Sequence, residues 1–252
     1  MNTAPSAVRA RSLTVHLGHR RDRSAVLESL DFQLPAGEIT GLIGPSGSGK
    51  TTLMRALVGV QHHEGELEVL GQPASARTLR GRIGYVTQSP SVYPDLTVRQ
   101  NLDYFARLGS GGDSELVLEQ LSLTEVADRA VRTLSGGQRG RTSLGCALVG
   151  TPELLVMDEP TVGLDPATRR SLWQQFRRIA DHGITLVVSS HVMDEAARCD
   201  RLLLLRAGRI IWSGAPAELL GETGARSYED AFLAAVGEVD PADGPTAERR
   251  TP

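Results

Sequence analysis

The string GPSGSGKT, spanning Gly44–Thr51, matches the spacing G-x-x-x-x-G-K-[ST]. Its glycines let successive backbone N–H groups turn toward one point. A helix opening at Lys50 adds its positive end, so the loop cradles phosphate. In such a loop the Lys50 ammonium reaches the β- and γ-phosphates and the Thr51 hydroxyl binds Mg2+. The string arises by chance in on the order of one chain in a hundred at average residue frequencies. Its surroundings make chance a poor account. The apolar run Ile39–Ile43 precedes it as a short buried strand, and Leu53, Met54, Leu57 and Val58 follow at helical spacing. Strand, glycine-rich turn and helix in that order make a nucleoside-triphosphate site. Of the 27 basic residues, Lys50 is the only lysine. A GC-rich base composition swaps lysine for arginine wherever a positive charge suffices. A lysine that survives it marks a place where a compact ammonium works and a planar guanidinium does not.

Outward from this loop, strands and helices alternate. Upstream, the segment from about Val8 to Leu34 reads as antiparallel strands around a polar basic loop at Gly18–Arg23. Downstream, Ile83–Thr87 is a strand, and a helix-rich stretch runs from about Val98 to Gly150, interrupted by a flexible SGGD at residues 110–113. Leu154–Met157 reads as a central parallel strand. Asp165-Pro166 is the pattern of an N-cap followed by proline at the first helical position. Leu172, Phe176 and Ile179 then recur at helical spacing until Gly183. Ile184–Ser189 is another buried strand, and Leu202–Leu205 with Arg209–Trp212 predicts a hairpin through Ala207-Gly208. The tail from about Asp240, DPADGPTAERRTP, is expected to be disordered. The pattern predicts α/β architecture with a helical insertion between two halves.

Composition narrows the function. With 252 residues, 40% hydrophobic and 23% charged, the chain can bury a sizeable core. A net charge of -3 argues against nucleic acid as the main partner. Cys146 and Cys199 have no pair spacing, which argues against a disulfide framework or structural zinc and fits a reducing compartment. The opening MNTAPSAVRARS lacks an apolar signal core, and no stretch approaches the roughly 18 apolar residues that span a bilayer. The expectation is a chain that does not cross a membrane on its own.

Two more strings carry chemistry. In LLVMDE, Leu154–Glu159, four apolar residues form a strand and Asp158 emerges at its end to hold the Mg2+ shell. Glu159, one residue further, can polarise an attacking water. In LSGGQ, Leu134–Gln138, Ser135 and Gln138 have the S-x-x-Q spacing of a capping box. Gly136 and Gly137 leave their N–H groups unobstructed at a helix N-terminus, a second anion site.

With these motifs in order, the sequence resembles the ATP-binding cassette of ABC transporters over about residues 8–237, leaving 238–252 as the tail. The resemblance implies a P-loop NTPase core, an antiparallel β-subdomain and an inserted helical subdomain at about 89–150. It implies ATP and Mg2+ as cofactors, with Gly44, Pro45, Ser46, Gly47, Ser48, Gly49, Lys50, Thr51 and Thr52 around the phosphates. Metal ligands would be Thr51, Gln88 and Asp158, and catalytic residues Glu159, His191 and Gln88. Ser135, Gly136, Gly137 and Gln138 of one cassette would close over the nucleotide of another, with Asp165 bridging the two. The family's usual adenine-stacking aromatic is replaced by Leu17 in LTVHLG, so either Leu17 gives apolar contact alone or His16 or His19 substitutes. Gly140 and Gly145 stand where the family often has bulkier residues.

The same resemblance implies partners. SSHVMDEAARCDRLLLLRAGRIIWSGAPAELL, with SYEDAFLAAV after it, is similar to the drug- and lipid-exporting branch whose permeases are separate chains. VYPDLTVRQNLDYFARL is similar to that branch as well. The region Ser89 to Asn101 would receive the permease at the cytoplasmic face of the cell membrane. An importer ATPase and a soluble ATPase of a scaffold complex are the alternatives. The transported molecule and the choice of homo- or heterodimer are not written in the motifs.

Overall fold

The computed structural model describes residues 6–18, 23–109 and 111–237. The tail at 238–252, His19, most of the Gly18–Arg23 loop and the first residue of SGGD lie outside the described residues. In chain order the elements begin with β1 (Ser6–Leu17), β2 (Ser24–Pro35), β3 (Ile39–Ile43), α1 (Lys50–Leu57), β4 (Glu64–Val69), β5 (Gln72–Pro73) and β6 (Ile83–Val86). The helical insertion follows as α2 (Val98–Leu108), α3 (Ser114–Gln120) and α4 (Gly136–Leu148). The chain then continues with β7 (Leu154–Met157), α5 (Pro166–Asp181), β8 (Thr185–Ser190), β9 (Arg201–Arg206) and β10 (Arg209–Gly214). Helices α6 (Pro216–Thr223) and α7 (Tyr228–Gly237) come last.

These strands form two sheets. One is antiparallel, in the order β2-β1-β4-β5, and the other has six strands in the order β10-β9-β3-β8-β7-β6. In the larger sheet, β9, β3, β8, β7 and β6 are mutually parallel and only β10 runs antiparallel, against β9. The parallel strands are mostly apolar, and β7 entirely so, because both their faces are covered. Side chains alternate between the faces: Leu154 and Val156 of β7 join Leu42, Val187 and the antiparallel sheet, whereas Leu155 and Met157 join Ile39, Ile43, Val188 and the helices. The first cluster holds Leu53, Met54 and Leu57 of α1, which is why the phosphate-loop helix is seated between the two sheets.

Helix starts are locally encoded. Thr97 and Gln100 form a reciprocal capping box at α2, and Ser135 and Gln138 form another at α4. Asp165 caps α5, accepting from the N–H groups of Ala167 and Thr168, and Pro166 occupies the first helical position. Gly145 sits where α4 meets its neighbours: a Cβ there would lie 3.2 Å from Leu121 and 3.3 Å from Val117. At Gly140 a Cβ would meet nothing within 4 Å. One glycine therefore permits close helix packing and the other opens space. Strand β4 escapes sequence reading because Glu64, Gly65 and Glu66 are exposed and only Leu67 and Val69 turn inward. Among the described residues no helix is long and apolar enough to cross a membrane.

Candidate active site

Four parallel strands end at the same edge of the sheet, and each delivers a polar residue there. β3 leads into Gly44–Lys50, β6 into Gln88, β7 into Asp158 and Glu159, and β8 into His191. Ligands of open α/β sheets bind at this carboxyl edge.

The phosphate loop is shaped by close approach and by left-handed backbone. A Cβ on Gly44 would collide with the carbonyl oxygen of Leu205, so the loop leaves the sheet flush against β9. Gly49 has φ +107° and a Cβ there would lie 2.6 Å from Leu27, a conformation and a fit that only glycine satisfies. Gly47 is also left-handed, with open space around it. Helix α1 starts at Lys50, so its first-turn N–H groups, which lack partners inside the helix, belong to the same concavity. Thr51 lies half-buried and Thr52 buried in that first turn. The Ser48 hydroxyl is buried without a hydrogen-bond partner, and Ser46 is exposed beside Pro45. An anion fits this cradle of donors.

Lys50 is only 5% exposed. Its Nζ donates to the carbonyl oxygens of Gly44, at 2.8 Å, and Pro45, at 3.0 Å. It also lies 3.7 Å from Oε1 of Glu159. Burial lowers the pKa of this ammonium below the usual lysine value, against the opposing pull of the Glu159 and Asp158 carboxylates.

Glu159 is the hub. Its Oε2 accepts from Nε2 of Gln88 at 3.3 Å and lies 3.4 Å from Nδ1 of His191. Its backbone is left-handed, φ 49°. For a residue with a side chain that conformation costs about 1–2 kcal/mol. Beside it, Asp158 is buried at the strand end, its N–H held by the Val86 carbonyl at 2.8 Å. A carboxylate and, in the first turn of α1, the Thr51 hydroxyl are hard oxygen donors of the kind that Mg2+ requires.

The structure thus brings together Gly44–Thr52, Gln88, Asp158, Glu159 and His191. The remaining expected residues make other contacts. Gly136, with Arg139, lines a cavity of about 240 Å³ that is also bounded by Gln88 and Glu159. Ser135 and Gln138 are engaged with each other, and the Gly137 backbone lies close to the Thr168 methyl. The Asp165 carboxyl is held below its usual pKa, first by the Thr168 hydroxyl and then by backbone donors of α5. None of the described hydrogen bonds and ion pairs joins Ser135–Gln138 or Asp165 to the phosphate loop. Leu17 ends β1 at 38% exposed, whereas His16 is turned to Glu64, 3.5 Å away. Sequence reading passed over Ser189, whose hydroxyl lies between Asp158 and Glu159. The available signal was a hydroxyl inside the otherwise apolar strand ITLVVSS.

A loop after the central strand of a parallel sheet, followed by a helix and faced by an acidic pair, defines the P-loop nucleotide hydrolases. Comparison with known proteins makes the class specific. The family model described as ABC transporter matches residues 27–162, more than half of the chain. A Nod factor export ATP-binding protein I of Burkholderia thailandensis is 42% identical over 211 residues, covering 80% of this chain and 69% of that protein. The chain belongs to the ABC transporter family, as an ATP-binding subunit with ATPase activity. The fold agrees. The cbiO1 structure from Clostridium perfringens, part of the ABC transporter complex cbiONQ, superposes with TM-score 0.77 at 24% identity, over 90% of this chain and 98% of that one. A dimeric post-hydrolysis ATP-binding cassette bound to ADP and Pi gives TM-score 0.75 at 24% identity, over 83% and 98%.

Proposed function

We propose that this chain is the ATPase subunit of an exporter, driving efflux of a drug-like or lipid-like substrate through a separate membrane permease. The observation that carries the catalytic reading is the convergence of Lys50, Gln88 and His191 on Glu159 within 3.3 to 3.7 Å. The export direction is supported by the name of its 42% identical relatives, Nod factor export ATP-binding protein I. One cassette spans 8–237, with 89–150 as its helical subdomain.

Within this reading the N–H groups of Gly44–Thr52 and the Lys50 ammonium bind the triphosphate, and Leu17 contacts the base. Thr51, Gln88 and Asp158 would hold magnesium, which supplies charge neutralisation between phosphates. Triphosphate is a stronger partner for Lys50 than the carbonyls of Gly44 and Pro45, and engaging it frees Oε1 of Glu159 for water. Glu159 then takes a proton from the attacking water while Gln88 and His191 orient its carboxylate. Among the described residues, the hydrogen bonds of Ser135, Gln138 and Asp165 are made within their own helix starts and not to the chain's own phosphate loop. Residues Ser135–Gln138 and Asp165 act on the nucleotide of a second cassette, a role supported by the dimer seen for the structural neighbour.

The permease seat is the segment Ser89–Asn101 on the cytoplasmic face of the membrane. Asn101 is fully buried and ties this loop to α2: its Nδ2 donates to the carbonyls of Tyr93 and Thr97, and its Oδ1 accepts from the Tyr93 N–H. The loop thereby presents Tyr93, packed edge-on against Tyr104 with centroids 5.0 Å apart, both rings exposed.

The test uses Glu159→Gln. General-base removal costs about 10²- to 10⁴-fold in rate, so the variant is expected to bind ATP, hydrolyse almost none and accumulate as an ATP-bound dimer. Recovery of tagged Glu159→Gln from solubilised membranes in MgATP is expected to bring down a multi-span permease lacking its own cassette. A co-purified solute-binding protein would make the system an importer, and recovery with a soluble scaffold alone would end the transport reading. Turnover at the wild-type rate would remove Glu159 from its role.

A further inference from the structure

We infer that Ser189 is the positioning residue of this catalytic site, one hydroxyl that sets both the metal-binding carboxylate and the general base. The inference rests on the roles proposed above for Asp158 and Glu159. Ser189 lies near the end of β8 and is completely buried. Its Oγ donates to Oδ1 of Asp158 at 2.7 Å. The same Oγ accepts from the backbone N–H of Glu159 at 2.8 Å. A serine hydroxyl has one donor and two acceptor positions, so both bonds are made at once by a single oxygen.

Each bond solves a separate problem. Glu159 adopts φ 49° one residue beyond the end of an extended strand, with Asp158 between them. That left-handed turn breaks the alternation in which neighbouring side chains point to opposite faces, and so permits Glu159 to share a site with Asp158. The turn also takes the Glu159 N–H out of the ladder, and a buried N–H without a partner is destabilising. Ser189 supplies that partner. At Asp158, occupation of Oδ1 by the hydroxyl fixes the carboxylate rotation and leaves Oδ2 for the metal shell. Strand pairing makes the geometry rigid: β7 and β8 are adjacent and in register from Leu154↔Thr185 to Met157↔Val188, so the residues that follow lie side by side. An apolar residue here would fill the space and satisfy neither group.

The experiment compares Ser189→Ala and Ser189→Thr with wild type and with Glu159→Gln. ATP affinity is measured at equilibrium in EDTA and in Mg2+, followed by steady-state ATPase kinetics. Ser189→Ala is expected to lower kcat about 10- to 100-fold and to raise KM for MgATP several-fold, by no more than its loss of Mg2+-dependent affinity, while affinity in EDTA is unchanged. The gain in affinity on adding Mg2+ should shrink several-fold, and Ser189→Thr, which keeps the hydroxyl, should recover most of both losses. The inference is overturned if Ser189→Ala turns over within about twofold of wild type while Glu159→Gln is inactive. It is equally overturned if the loss appears as weakened ATP binding in EDTA, or if Ala and Thr are equally impaired. Wild-type turnover by Glu159→Gln would instead strike the underlying catalytic assignment, and the Ser189 inference with it.

Discussion

Lys50 shows how chemistry selects a residue. Its ammonium makes two bonds to carbonyls of its own loop in a site where it is 5% exposed. A guanidinium is larger, planar and unable to enter that concavity in the same geometry. Lys50→Arg is therefore expected to lower kcat/KM for ATP by about 100-fold although the charge is kept, a loss of about 2.7 kcal/mol of transition-state stabilisation. Normal activity in that variant would sink the argument from the lone lysine. Leu17 offers apolar contact without an aromatic ring, and stacking beyond burial contributes about 0.5–1.5 kcal/mol. ATP and GTP are expected to bind within a few-fold of each other, as competition titrations would read. A strong ATP preference would mean that another group recognises the base; His16 is engaged at Glu64, on the neighbouring strand. Motif spacing made Lys50, Asp158 and Glu159 legible. The bond from Ser189 was not, because it joins residues 30 and 31 positions apart that only adjacent parallel strands bring side by side.

At the scale of elements, α4 carries its own contradiction, two glycines within a helix. Gly140 borders open space and Gly145 is packed between α2 and α3. Gly140→Ala is expected to raise unfolding free energy by about 0.5–1 kcal/mol, because helix propensity improves and nothing is displaced. Gly145→Leu is expected to lower it by about 1–3 kcal/mol, the cost of overpacking against Leu121, Val117 and Leu102. Urea denaturation of both variants reads the signs, and equal signs would contradict the packing account. Helix starts were legible from sequence because capping is local: Ser135 with Gln138, and Asp165 with Pro166, lie within one turn. The purpose of the glycines was not, since α2 and α3 are distant in sequence from α4.

The whole molecule is a parallel sheet held between an antiparallel sheet with α1 on one face and helices on the other. The candidate site draws on β3, β6, β7 and β8 at once, so a nucleotide bound there bridges both clusters through α1 and the strand ends. Binding to the folded state alone at about a hundred times Kd adds about 2.7 kcal/mol, which for a domain of this size is a rise of about 5–10 °C in Tm. Glu159→Gln with MgATP is expected to show that rise in a thermal melt, and Lys50→Arg under the same conditions to show little. An unchanged Tm for Glu159→Gln at saturating nucleotide would contradict the site.

The sequence by itself determined the phosphate loop, the acidic strand end, the helix caps and the α/β class. Each of these depends on neighbours a few residues apart, where spacing and residue type suffice. The tertiary structure alone decided which face each strand buries, that Gly145 and not Gly140 is a packing contact, and that His16 is committed to Glu64. It also decided that one hydroxyl of β8 spans Asp158 and Glu159. These follow from strand order and pairing, which set residues far apart in the chain within bonding distance and leave no local trace.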